Sequence, residues 1–239
     1  VKGILTQEPP FFDADILVEV TGTNIKSKKI IPLTGEKARF SMQFKNRPQT
    51  LGADPDFDLF RLLYPEEIPA TVNALKGSKK VAAIIADDTP ANWTDIFKGL
   101  LTGLNQTGTS IWTERRFAAE DSARMDLLFF GMPRQKKGND LLSNLDEAAV
   151  ISADAFQVGG VISSSNADTM FAVFKNKKRL VAVFLPKSST DLQTVLRTAR
   201  KITHYGRYGQ LSFKGGTNIG KGVGSVSGSP LFVTLEKKQ

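Results

Sequence analysis

Three groups of residues in this chain have the types and spacing from which chemistry can be built. Asp87 and Asp88 are adjacent carboxylates at the end of an apolar run, and paired carboxylates serve as general acid and base or bind cations. His204 is the single histidine of the chain. The glycine-rich stretch 214–222 contains a glycine, four residues and then Gly-Lys, which is the spacing of a phosphate-binding loop.

The glycine-rich stretch lacks two parts of a phosphate loop. Gly222 follows Lys221 where a hydroxyl residue must hold Mg²⁺, and residues 223–230 are too rich in Gly, Ser and Pro to begin a helix whose amide groups face the phosphates. The sequence therefore favours a glycine-rich turn, with Lys221 as a candidate ligand-binding side chain only if other groups converge on it.

The surroundings of His204 favour a structural role. A catalytic serine needs a histidine and an orienting carboxylate beside it, and the near-match to a serine elbow at 224–228 lacks the required strand-to-helix turn. One imidazole with scattered carboxylates does not make a zinc site. We expect His204 to lie at the negative end of a helix dipole.

The other carboxylate groups are best explained as helix caps and connector residues. Asp54, Asp56 and Asp58 resemble the start of a calcium loop, but Pro55 and Phe57 replace its flexible residues and no glutamate follows in register. Asp87 and Asp88 differ by position, because ligands bind at the carboxyl ends of strands in α/β sheets. Together with Thr89, they are also candidate caps of the next helix.

Composition restricts the chemistry further. The 239 residues include no cysteine, which excludes disulfides, thiolate metal ligands and a cysteine nucleophile. No apolar run approaches the roughly 18 residues that span a bilayer.

The formal charge of +8 is uneven, since residues 1–75 hold 9 Lys/Arg against 10 Asp/Glu and the remainder holds 23 against 14. A basic excess is usually a solvated surface, and the alternative is an anionic polymer or a membrane surface. Aromatic and basic residues do not interleave as on an RNA-binding strand, so no nucleic-acid partner is expected.

The first part of the chain has the pattern of a β domain. Residues 16–20, 29–33 and 38–44 predict short strands, and the last of these alternates apolar and polar residues. Three or four strands are too few for a complete sandwich. Prolines then interrupt two helical patterns at 59–64 and 66–75, which predicts a connector.

From residue 79 onward strands alternate with helices. The strands are predicted at 81–86, 110–112, 126–131, 148–151, 156–158, 171–174, 180–185, 211–213 and 231–233. Helices are predicted at 91–105 and from a cap at Ser188 or Ser189 to Ile202. This alternation predicts a layered α/β domain. The expected fold is therefore two-domain α+β or α/β: a partial β-sandwich-like domain at 1–60, a connector at 61–75 and an α/β domain at 76–239.

Two stretches of the chain resemble one family. Residues 54–63, followed by Glu66-Glu67-Ile68-Pro69, resemble the segment after the catalytic region of aminopeptidase N-like zinc metallopeptidases. His204-Tyr205-Gly206-Arg207-Tyr208, then Asn218, Gly220-Lys221-Gly222 and Ser229-Pro230-Leu231, resemble the end of an α/β region that a bacterial branch appends. The family's zinc helix needs His-Glu-x-x-His, and its Gly-x-Met-x-Asn motif binds the substrate amine, but neither motif is present here.

The resemblance implies a non-catalytic, C-terminal accessory region of such a protein. Its partner would be the upstream catalytic region of the same polypeptide, and any zinc would belong to that region. The basic helix 192–207 is the surface expected to interact, with Arg197, Arg200 and Lys201 as the residues to test. The alternative is an independent ligand-binding or hydrolytic α/β domain, whose site combines Asp87, Asp88, His204 and the 214–222 stretch. These segments must then converge in one pocket.

Overall fold

Two separate sets of sheets organise the chain, and the α-helices of the described residues all belong to the second. The computed structural model describes residues 1–56, 58–143, 149–152, 154–159, 161–224 and 228–235. It divides the chain into unit 1, residues 1–68 and 226–239, and unit 2, residues 69–225. The predicted fold class, a two-domain mixture of helices and multi-stranded sheets, is confirmed.

Unit 1 contains a four-stranded antiparallel sheet and a two-stranded ribbon. The strands are β1 Lys2–Thr6, β2 Ala14–Gly22, β3 Ile25–Leu33, β4 Lys37–Ser41, β5 Thr50–Ala53 and β16 Phe232–Thr234. The sheet has the order β16-β5-β2-β3, and the ribbon pairs β1 with β4. Alternate residues of β2 face a small apolar core.

The last strand pairs differently from the expectation. The sequence places 231–233 in the α/β domain, but β16 pairs with β5 of unit 1, with Phe232 opposite Gly52. Residues 226–239 accordingly group with unit 1 and not with an α/β domain that continues to residue 239. Pairing between strands about 180 residues apart leaves no local signal in the sequence, because the hydrogen bonds join backbone groups of any residue type.

The predicted connector is only partly helical. Residues 59–64 form no helix, and a short 3₁₀ helix covers Pro65–Glu67. The first α-helix, α1, spans Val72–Lys76 and begins at Thr71, whose side chain accepts the N–H of Ala74. The prediction of a helix at 59–64 is therefore wrong, and Arg61 in this segment forms the ion pairs described below.

Unit 2 is built on a large sheet beside a small one. After α1, its elements are β6 Val81–Ile85, a 3₁₀ turn Ala91–Trp93, α2 Thr94–Gly103, β7 Ile111–Thr113, α3 Glu114–Ala119, β8 Asp126–Phe130, α4 Lys136–Ser143, β9 Ala149–Ile151, β10 Phe156–Val158, β11 Ile162–Ser163, β12 Thr169–Asn176, β13 Arg179–Pro186, α5 Leu192–Ile202, β14 Gln210–Lys214 and β15 Thr217–Gly222. The large sheet has seven strands in the order β15-β14-β12-β13-β8-β6-β7, and the small sheet has the order β11-β10-β9. Strands β7, β6, β8 and β13 are parallel, and the remaining large-sheet pairs are antiparallel.

Both faces of the large sheet are covered by apolar cores. On one face α2 and α5 pack against the sheet, and Phe97 stacks on Phe130 with ring centroids 4.1 Å apart. On the other face lie α3, α4 and the small sheet, with Phe117 edge-on to Phe129. Burial of one such side chain contributes about 1.5–3 kcal/mol. Burial on both faces explains the unbroken apolar runs at β8, β12 and β13.

The helix caps differ from the predictions. Asp87, Asp88 and Thr89 do not cap α2, which follows the 3₁₀ turn without a side-chain cap. Asp191, and not Ser188 or Ser189, caps α5 by accepting the N–H of Thr194.

No helix among the described residues is both long and apolar enough to cross a membrane. The predictions that concern Phe57, Ala148 and residues 225–227 lie outside the described residues.

Candidate functional site

Asp87 and Asp88 lie just after β6, at the carboxyl edge of the sheet. The chain leaves β6 towards β7 and leaves β8 towards β13, so this is the topological switch point at which α/β sheets bind ligands. Both carboxylates are engaged by the loop after β8. Arg134 donates its Nε–H to Asp88 at 2.8 Å, and Gln135 donates to Asp87 at 3.2 Å. These bonds join two neighbouring loops, and the two acids form no acid–base pair with each other.

Glu114 is a residue at this edge that the sequence did not single out. Its carboxylate is buried and accepts three backbone N–H groups, from Asp87 at 2.8 Å, Arg134 at 2.8 Å and Gln135 at 2.7 Å. One side chain thus fixes the loops after both β6 and β8. The available signal was an acidic residue at the first position of a helix directly after a strand, which is common and therefore weak.

The glycine-rich stretch forms a β-hairpin between β14 and β15. Gly215 and Gly216 adopt φ of 56° and 77° in its turn, a region that favours glycine. Asp168 accepts the N–H of Gly215 at 2.6 Å. Lys221 lies on β15, and its ammonium is 5.0 Å from the centroid of the Tyr208 ring. No helix follows β15 in the described residues, so the amide geometry of a phosphate loop is not formed there.

His204 lies two residues after the end of α5 and is exposed. Its N–H binds the carbonyl of Lys201 at 3.0 Å, and its ring borders a small open depression of about 310 Å³ with Asn73, Tyr205 and Arg207. The described residues that line this depression include no serine and no carboxylate. The position agrees with the expected helix end and offers no catalytic pair.

The residues of the alternative site do not share a pocket. Asp87 and Asp88 follow β6, whereas Lys221 lies on β15, and four strands separate β6 from β15. At about 4.8 Å per strand this places them roughly 24 Å apart across the sheet. His204 borders the depression with Tyr208, whose ring lies beneath Lys221, and is therefore on the side of β15. A single pocket that combines the three segments is not formed.

The basic helix α5 presents its charges to solvent. Val195, Ala199 and Ile202 face the core, while Arg197, Arg200 and Lys201 are exposed. Arg197 donates to the hydroxyl of Thr194 at 3.0 Å. The hydrogen bond from the Thr194 side chain lowers the pKa of Asp191 at the start of the helix. The three cations are therefore accessible to a partner.

A buried ion-pair network lies in unit 1, in the stretch that the sequence assigned to a connector. Arg61 donates to Asp54 at 2.8 Å and to both oxygens of Glu67, at 2.6 Å and 3.0 Å. Asp54 is 3% exposed and Glu67 is 2% exposed. Glu67 also accepts the N–H of Tyr64 and the hydroxyl of Ser229. The bond from Arg61 is the main cause that lowers the pKa of Glu67 to about 2.

This network presents two apolar side chains to solvent. Phe60 is 111% exposed and Leu62 is 94% exposed, and they flank the anchored Arg61. Arg61 is directed towards its two carboxylates, whereas both of its neighbours are exposed. A fixed, exposed apolar pair is a feature of contact surfaces. The sequence interpretation missed this pair because it assigned 59–64 to a helix.

Metal ligation has no support from the residue groupings. Within the described ranges, no three His, Asp or Glu side chains come together as metal ligands do. Comparison of the chain with models of protein families, with curated proteins and with solved structures finds no match. The proposals below therefore rest on this chain's own geometry and on the sequence resemblance.

Proposed function

We propose that this chain is a non-catalytic interaction module, an accessory region that packs against the catalytic region of an aminopeptidase N-like zinc metallopeptidase. The observation that carries the proposal is the outward pair Phe60 and Leu62 beside Arg61. Almost complete exposure of two large apolar side chains is costly in water, and a partner surface that covers them removes this cost.

The rigidity of the segment strengthens the proposal. Arg61 is held by two carboxylates, and Asp54 also accepts the N–H groups of Asp58 and Leu59. A side chain presented from a fixed backbone loses less conformational entropy on binding than one in a loose loop. The same stretch, 54–69, carries the resemblance to the segment that follows the catalytic region in this family. That coincidence is why a catalytic region is proposed as the occupant.

The first experiment determines the coding sequence upstream of Val1. An in-frame His-Glu-x-x-His helix with a later glutamate would support a zinc peptidase as the parent protein. A start codon with no such motif upstream would remove the peptidase from the proposal.

The second experiment measures assembly with that catalytic region, expressed as a separate chain, by titration calorimetry. Replacement of Phe60 and Leu62 together by Ser is expected to weaken binding at least tenfold, because anchors of this type carry most of an interface's energy. Phe12→Ser is the matched control, since Phe12 is another exposed phenylalanine of unit 1, and we expect less than a twofold change.

A charge reversal at Arg197, Arg200 and Lys201 tests the basic helix α5 in the same assay. If the α5 variant alone weakens binding, the interaction surface is the helix and not the Phe60–Leu62 pair. If none of the three variants changes the affinity, neither surface serves this function.

A further inference from the structure

An open groove of about 1250 Å³ lies in unit 2, at the sheet edge opposite to Asp87 and Asp88. Its walls are the residues that precede β6 and β8, the start of α4 and the turn between β12 and β13. Strands β6 and β8 are parallel, and β12 runs in the opposite direction. The end of β12 therefore lies at the same edge of the sheet as the beginnings of β6 and β8. None of the candidate residues chosen from the sequence lines this groove.

The groove gathers most of the chain's basic excess. Of the thirteen described residues that line it, seven are Lys or Arg, and two, Asp126 and Asp140, carry carboxylates. Asp126 is already engaged, because it accepts the hydroxyl of Ser78 and the N–H of Leu180 at 2.7 Å. A concave surface lined by one sign of charge concentrates the electrostatic potential and attracts ions of the opposite sign.

Five of these cations have no ion pair within the residues that the structure describes. They are Lys79, Lys80, Arg124, Lys177 and Lys178. All five are exposed, and Lys177 and Lys178 form the tip of the β12–β13 turn. Lys137 differs, since its ammonium donates to the carbonyls of Phe117 and Glu120. The unpaired cations face one groove, where their mutual repulsion is relieved by an anion.

The lining also restricts the chemistry of the ligand. Ammonium and guanidinium groups only donate hydrogen bonds, so a matching ligand supplies acceptors and almost no donors. The described residues of the groove include no aromatic side chain on which a base can stack. Among the residues that the structure describes, its apolar lining consists of Ala123 and Leu141, which is too little for insertion into a membrane. A peptide would bring backbone N–H groups for which few acceptors are present.

From these observations we infer that the groove binds a polyanion without bases, a chain of phosphate or sulfate groups. The volume exceeds that of a pocket for one small molecule, which is about 300–1,000 Å³, so several charged groups of a chain can lie in it together. Binding releases counterions and is therefore steeply dependent on salt.

The test titrates the full chain with short-chain inorganic polyphosphate and, in parallel, with heparin, at low and at physiological salt. The logarithm of the binding constant is expected to fall linearly with the logarithm of the salt concentration. Tighter binding of polyphosphate assigns the site to phosphate chains, and tighter binding of heparin assigns it to sulfated chains.

The triple variant Lys79→Gln, Lys177→Gln and Lys178→Gln is expected to lose at least tenfold in affinity for the tighter of the two polyanions. The matched control is Lys26→Gln, Lys29→Gln and Lys45→Gln. It removes the same charge from exposed positions of unit 1, and less than a twofold change is expected. The fluorescence of Trp93 and Trp112, both in unit 2, verifies that the groove variant is folded.

Three results would overturn the inference. The first is an equal loss of affinity in the groove variant and the control, which would indicate a general charge effect. The second is tighter, groove-dependent binding of single-stranded DNA or of anionic vesicles, which would assign the groove to nucleic acid or to a membrane surface. The third is the absence of measurable binding to both polyanions at low salt.

Discussion

Arg61 links the buried charged side chains of unit 1. It satisfies two carboxylates that are almost fully buried, Asp54 and Glu67, and Glu67 also binds Ser229 near the other end of the chain. The sequence shows these residues as a charged, proline-rich connector. Their burial was not predictable, because it depends on a contact between residues separated by 162 positions.

Replacement of Arg61 by Met is expected to destabilise unit 1 by about 3–5 kcal/mol, because it leaves two buried carboxylates without their cation. Hydrogen exchange of the β2 amides, followed by mass spectrometry, measures the effect within unit 1. Lys28→Met is the control, since the Lys28–Asp56 pair is solvent-exposed and such pairs contribute little. Equal protection of β2 in the Arg61 variant and the wild type would contradict this assignment.

The lowered pKa of Glu67 predicts how the stability of unit 1 depends on pH. Its ordinary pKa of 4.5 falls to about 2 in the folded chain, chiefly through the hydrogen bond from Arg61. The folded state therefore binds a proton less readily than the unfolded state, and the contribution is fully present above pH 4.5. It is lost as the pH falls from about 4.5 to about 2.

The corresponding experiment compares the wild type with Glu67→Gln. Hydrogen exchange of β2 at pH 5 and at pH 3, corrected for the intrinsic exchange rate, is expected to show a smaller loss of protection in the variant. Gln cannot titrate, so this part of the acid sensitivity is removed. If both proteins lose the same protection over this range, other carboxylates govern the acid response of unit 1.

At the scale of elements, two glycines of α2 allow the effect of helix propensity on stability to be measured apart from the effect of packing. An added Cβ at Gly99 meets no atom within 4 Å, whereas at Gly103 it lies 2.8 Å from Cγ2 of Thr203. Gly99→Ala is expected to stabilise unit 2 by about 0.5–1 kcal/mol through helix propensity. Gly103→Ala is expected to gain less or to destabilise, because Thr203 must move. Urea unfolding followed by tryptophan fluorescence measures both, and equal gains would show that Thr203 moves at no cost.

The sequence predicts elements best where burial governs their composition. The strands β6, β8, β12 and β13 were predicted because burial on both faces requires continuous apolar residues. The strand β15 was missed because its glycine-rich composition resembles a loop, and its order comes from pairing with β14. The groove was not predicted either. Its cations are scattered between residues 79 and 179, and only the direction of the strands brings them together.

For the whole molecule, the chain order makes unit 1 discontinuous. Its first 68 residues and its last strand are separated in sequence by the whole of unit 2. Of the site residues predicted from the sequence, all seven lie in unit 2, whereas the exposed apolar pair Phe60–Leu62 lies in unit 1. The sequence points to charged and glycine-rich stretches as candidate sites. Exposure of an apolar residue depends on the completed fold and is not visible in the sequence.

This discontinuity leads to a prediction that treats the two units separately. A chain that ends at Gly224 lacks β16, and with it the backbone pairing to β5 and the hydrogen bond from Ser229 to Glu67. We expect hydrogen exchange of β2 and β5 to accelerate, since β5 becomes an edge strand. Trp93 and Trp112 both lie in unit 2, so the urea transition followed by fluorescence should keep its midpoint. A fluorescence midpoint that falls together with the protection of β2 would show that the two units unfold as one cooperative body.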